Sequence, residues 1–132
     1  MDVSFELKVN PTHLHLRHPP GSHIAADEIA GYWSSVGELC RKHACRKLLI
    51  ESYEPEGSLG TIDVFDAGRT LAENLAGVKV ALCHEDFAPD ELSLFFQTVA
   101  QNRGVKVEFF PSLDEAVRWL DVDTGETAEQ LH

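Results

Sequence analysis

"KLLIESYEPEGSLGTIDVFDAGRTLAENLAGVKVALCH", residues 47–84, holds two short apolar runs on either side of a helical stripe. "KLLIESY" and "VKVALCH" are too short for core helices and have the length of buried strands. Between them, Val64, Phe65, Gly68, Leu71, Ala72 and Leu75 recur at helical spacing, and Gly77 stands where a helix would stop. The spacing predicts a helix over 61–76. A strand–helix–strand unit brings its two strands together in parallel, so this stretch places the chain in the α/β class.

The same reading extends outward. Downstream, Pro89, Asp90 and Glu91 suit a helix start, and Leu92, Phe95, Phe96 and Val99 form its apolar face. "NRG" ends that helix, and "VKVEFF" is a further strand. "SLDE" at 112–115 has the spacing of a capping box, followed by Leu113, Ala116, Val117 and Leu120 at helical spacing. Upstream, Ile29, Trp33, Val36 and Cys40 predict a helix from Asp27 to His43. "VSFELKV" alternates, with Val3, Phe5, Leu7 and Val9 on one face, as in a half-buried strand. After Asn10-Pro11, "THLHLRH" alternates again, and the two runs read as an antiparallel hairpin closed by "PPGS".

The predicted order is therefore β-β-α-β-α-β-α-β-α. It describes a single mixed sheet with an N-terminal antiparallel strand pair and helices packed on it, over residues 1–120. Residues 121–132 are acidic, lack periodicity and are expected to be a disordered tail.

The chain has 132 residues, enough for one domain with one core, and 43% of them are apolar. With 22 acidic against 11 basic residues, the formal charge is −11, which argues against nucleic-acid or general membrane-surface binding. "CRKHACRK" is the one short basic stretch. No apolar run reaches the ~20 residues of a membrane helix, and the N-terminus does not read as a signal peptide. Cys40, Cys45 and Cys83 form no disulfide framework, which suits reduced thiols in a cytoplasm.

Candidate chemistry is sparse. His13 and His15 share a strand face ~6.5 Å apart, a reach that suits a metal ion. No third ligand stands at a fixed spacing, so a solvated face is expected and no metal or other cofactor is assigned. Cys83 and His84 are adjacent on a strand and point to opposite faces, so a buried structural cysteine is favoured over a nucleophile. Glu51, Glu54, Glu56, Asp63 and Asp66 surround the loop before the helix at 61, and Glu85 and Asp86 follow the next strand. They read as solvated acids of an acidic protein. No catalytic motif is present.

At residues 89–120 the chain carries Phe95-Phe96, Thr98-Val99-Ala100, Asn102-Arg103-Gly104, Lys106-Val107, Phe109-Phe110, Leu113-Asp114-Glu115-Ala116 and Trp119-Leu120. This pattern resembles the SpoIIAA-like branch of the STAS superfamily, a bacterial group, and the likeness extends over residues 3–120. The resemblance implies a mixed sheet backed by helices, related in topology to the lipid-binding CRAL-TRIO class. It also implies a non-enzymatic regulatory or protein-interaction module like the anti-sigma factor antagonists. In those proteins a kinase phosphorylates a serine or threonine at the start of the helix after the third strand.

That position falls here at Ser58 or Thr61, the candidate partner switch. The antagonists' Asp-Ser-Ser/Thr-Gly signature is replaced by Glu56-Gly57-Ser58-Leu59-Gly60-Thr61, and helix capping by Thr61 is the favoured role. Asp63, Val64 and Phe65 are the expected partner surface. The alternative function is a carrier or sensor of an apolar small molecule or lipid, lined by Trp33, Phe65, Phe95, Phe96 and Phe109. Self-association as a homodimer is a further expectation.

Overall fold

Apolar residues of four of the five strands fill one face of a single sheet, and those of three strands fill part of the other. The computed structural model describes residues 5–19, 26–52, 61–84 and 91–122. In chain order these form β1 (Glu6–Val9), β2 (Leu14–Arg17), a 3₁₀ turn (Ala26–Glu28) leading into α1 (Ile29–Lys42), β3 (Lys47–Ser52) and α2 (Thr61–Leu75). Then come β4 (Lys79–His84), α3 (Glu91–Gln101), β5 (Lys106–Phe110) and α4 (Leu113–Leu120). The sheet order is β1-β2-β3-β4-β5. β1 and β2 are antiparallel, and the remaining neighbours are parallel. The expected α/β fold with a hairpin at one edge is the fold observed.

The period of two in each strand decides what each face holds. Leu14, Leu16, Leu48, Ile50, Val80, Leu82 and Val107 point to the face covered by α1, α2 and α3 and form the main core. Leu49, Ala81 and Cys83 point the other way and pack under Ala116 and Leu120 of α4. α4 crosses β3, β4 and β5.

Two glycines set the helix spacing. A Cβ on Gly37 of α1 would sit 2.7 Å from the Asn74 carbonyl of α2. One on Gly68 of α2 would sit 2.9 Å from the Val99 side chain of α3. Backbone therefore approaches neighbouring helices on both sides of α2, closer than any side chain would permit. Gly77 (φ 84°) and Gly104 (φ 99°) take the left-handed backbone after α2 and α3.

α4 is held at both ends. Ser112 is its N-cap, its hydroxyl accepting from the Glu115 backbone N–H at 3.3 Å and donating to the Glu115 carboxylate at 3.1 Å. At the C-terminus, Lys47 donates to the Asp121 carbonyl at 3.1 Å and Lys79 to the Trp119 carbonyl. Lys79 also lies 4.6 Å from the Trp119 ring centre. Two cations at the negative end of the helix dipole fix how α4 lies on the sheet.

Three expectations change. β1 is the sheet edge, and all four of its residues are exposed, Leu7 and Val9 included, so it is not half-buried. Phe5, just before it, packs on the main core. β2, by contrast, is flanked on both sides, and His13 and His15 are buried instead of solvated. Finally, the segment expected to fray from 121 begins as part of the fold. Asp121 takes a left-handed turn and Val122 is buried beneath α4, while residues 123–132 lie outside the described residues.

Replacing an exposed helical glycine by alanine normally stabilises, by about 1 kcal/mol. At Gly68 the new methyl would instead meet Val99 and force α2 and α3 apart. Gly68→Ala is expected to lower stability by about 1–3 kcal/mol in urea unfolding. An unchanged or raised midpoint would show that the helices have room to spare.

Candidate functional site

Two places concentrate chemistry or unsatisfied surface. The first lies on the α4 side of the sheet, over β2 and β3, where the parallel register sets Arg17 beside Glu51 and His15 beside Leu49. There His15 Nε2 donates to Glu51 Oε2 at 2.7 Å, and Arg17 Nε donates to the same oxygen at 3.0 Å. The hydrogen bond from His15 is the main reason the Glu51 carboxyl is held below its ordinary value. Burial opposes it and Arg17 supports it.

His13 is fully buried two residues earlier on the same strand. Asn10 Nδ2 donates to its Nε2 at 3.3 Å, and its Nδ1 lies 3.4 Å from the Thr12 hydroxyl. With Nε2 accepting, the neutral tautomer protonated at Nδ1 satisfies both contacts. Burial first, then the nearby His15 and Lys47, push its pKa down. The expected pair of imidazoles on one strand face therefore exists. Glu51, expected from the sequence among the solvated acids around the loop, is instead part-buried and paired with His15, because strand order brings the two together. Among the described residues, no three His, Cys, Asp or Glu side chains are arranged to hold a metal ion. A shallow cleft of about 290 Å³ beside this cluster is lined by Glu6, Leu7, Lys8, His15 and Arg17.

The second place is the start of α2 and α3. Ile62 is 77% exposed, and Phe65, one turn on, is 36% exposed. Phe65 stacks on Phe95 of α3 at 6.5 Å, with the Arg103 guanidinium 5.3 Å from the Phe65 ring centre. Leu92, one turn before Phe95, is also exposed. Acids rim these residues: Asp66, ion-paired with Arg69 at 3.6 Å, Glu91, and the part-buried Asp63.

Of the expected partner surface, Phe65 and Asp63 reach the outside and Val64 does not. Val64 is 6% exposed and belongs to the main core, because the helical period that exposes Ile62 and Phe65 turns position 64 toward the sheet. Thr61 is the first residue of α2. Ser58, Glu54, Glu56, Glu85 and Asp86 lie outside the described residues.

The expected lining aromatics separate into two groups. Trp33, Phe96 and Phe109 pack on one another in the core, Trp33 on Phe96 at 6.4 Å and Phe96 on Phe109 at 5.9 Å. The chain of rings continues through Tyr32 to His18, whose Nε2 is 2.8 Å from the Tyr32 hydroxyl. These rings fill space against one another. Phe65 lies at the α2–α3 surface, stacked on Phe95, which is part-buried and also packs against the main core.

A larger cleft, about 670 Å³, opens at the other end of the helices. It is lined by Arg41, Cys45, Arg46, Glu73, Asn74 and Gly77 among others, so the basic stretch noted in the sequence forms one wall. Cys40, at its floor, is buried, which pushes its thiol up to about 11. Cys83 is buried under α4.

Among the described residues no helix is long and apolar enough to cross a membrane. Comparisons with family models, with curated proteins and with solved structures give no match.

The depressed pKa of His13 has a signed consequence. Below the ordinary imidazole value of 6.5, the unfolded chain binds a proton that the folded chain resists, so folding stability falls as pH drops through that range. Glu51 adds a separate loss at lower pH, below 4.5, as its carboxylate is protonated. Urea midpoints of the native chain are expected to fall between pH 7 and pH 5.5, and the fall is expected to flatten in His13→Asn. An equally steep fall in the variant would place the sensitivity elsewhere.

Proposed function

We propose that this chain is a non-enzymatic, cytoplasmic regulatory or protein-interaction module of the kind the SpoIIAA-like resemblance implies. It docks a protein through the start of α2 and α3. The observation that carries this reading is Ile62, a large apolar side chain 77% exposed beside the stacked Phe65 and Phe95. A solvated helix start has no use for an isoleucine, and apolar residues bordered by charged ones have the make-up of an interface centre with a polar rim.

Charge selects the partner's chemistry. A rim of Asp63, Asp66 and Glu91 on a chain of net charge −11 suits a partner presenting an apolar surface bordered by lysines or arginines. Thr61 precedes Ile62 directly. A phosphate there would add about 1.5–2 negative charges to an already acidic chain and weaken its docking to an apolar partner surface. In this reading phosphorylation at Thr61 or Ser58 releases the partner.

Ile62→Asp tests the reading without touching the core. The variant is expected to keep its stability within about 0.5 kcal/mol, as exposed substitutions do. Affinity for the protein cross-linked to the native chain in host extract, remeasured with purified components, is expected to fall about tenfold or more. Full affinity in the variant would remove this face from the interaction.

A further inference from the structure

We infer that the chain pairs with a second copy of itself through β1, edge to edge and antiparallel, centred on Leu7. β1 is an outer strand of the sheet, and Glu6, Leu7, Lys8 and Val9 are all exposed, so nothing in the described chain covers its outer side. An open strand edge is a template for another strand, and its side chains decide which strand fits.

The four residues of β1 complement themselves in a single register. With Leu7 opposite Leu7 of the second copy, Glu6 of each copy faces Lys8 of the other, and Val9 faces Phe5. Centring on Glu6 or on Lys8 would set like charges face to face. Centring between residues would set Leu7 against Lys8 and turn one sheet over, mixing its apolar face with the other's charged face.

The favoured register also continues the rows already present in the sheet. On the charged face, Glu6 lies opposite Arg17, and Arg17 opposite Glu51, with Arg17 and Glu51 ion-paired at 3.0 Å. Lys8 of the second copy, beside Glu6, extends this alternation of sign by one more strand. On the apolar face, Leu7 lies opposite Leu16, then Ile50, Leu82 and Phe109. Leu7 of the second copy lengthens that row. Val9, 52% exposed, gains Phe5 as a neighbour. This surface is separate from the α2–α3 face and stands whether or not that face docks a partner.

A seam of one short strand is small beside a standard interface of about 1,600 Å², so the dimer is weak and the assay must reach about 1 mM protein. Sedimentation velocity of the native chain is expected to show a monomer–dimer equilibrium in that range. Glu6→Lys and Lys8→Glu are each expected to be monomeric, because each sets like charges across the seam twice. An equimolar mixture of the two restores opposite charges at both places and is expected to dimerise again.

Leu7→Lys serves if Glu6→Lys disturbs its own pairing with Arg17. It is expected to be monomeric with an unchanged far-UV circular dichroism spectrum. A native chain that stays monomeric to about 1 mM would overturn the inference. So would a folded Leu7→Lys that dimerises as the native chain does, or a mixture of folded single variants that fails to associate.

Discussion

The rest of the molecule depends on the close approach of α2 to the helices on either side. Gly37 lets the α2 backbone press on α1, and Gly68 lets α2 press on α3. With three helices so close over a sheet of short strands, the space between α2 and the sheet closes with small and medium side chains. Ala67, Leu71, Ala72 and Leu75 occupy the inner side of α2, against Leu48, Ile50, Val80 and Leu82 below. This packing uses up the inward face of α2 along its length. What remains at its start, Ile62 and Phe65, is left outside that core, with Phe65 against Phe95 and Arg103.

The second face of the sheet is built on different terms. Its apolar part is small, Leu49, Ala81 and Cys83 under one short helix, and α4 is located by hydrogen bonds and charge as much as by burial. Toward β2 the same face turns polar and buries His13 and His15, with Glu51 accepting from both His15 and Arg17. Buried polar groups are tolerated there because each has its partner. The cost is sensitivity to acid, since two of these groups are held in the protonation state that folding prefers.

The fold was legible in the sequence because strand and helix periods are written locally. Leu71 and Leu75 mark α2, Ser112 and Glu115 mark the start of α4, and Gly77 and Gly104 mark helix ends, all without knowledge of the tertiary structure. Which face a period buries is another matter. "THLHLRH" announces a strand, yet its histidines are buried because β2 lies between β1 and β3, and strand order is not a local property. For the same reason Leu7 and Val9 look like core residues in sequence and stand exposed at an edge. Val64 and Phe65 are adjacent members of one stripe, and only the position of the sheet decides that the first turns inward.

The central claim is that the start of α2 and the start of α3 together form the docking face. Amide hydrogen exchange, followed by mass spectrometry with and without the cross-linked partner, tests it most directly. Backbone amides near the ends of helices open easily and report contact at once. The account predicts added protection over residues 61–66 and 91–96, with residues 39–46 at the opposite end of the helices unchanged. Protection confined to residues 39–46, or spread over α4 with none at 61–66, would contradict it.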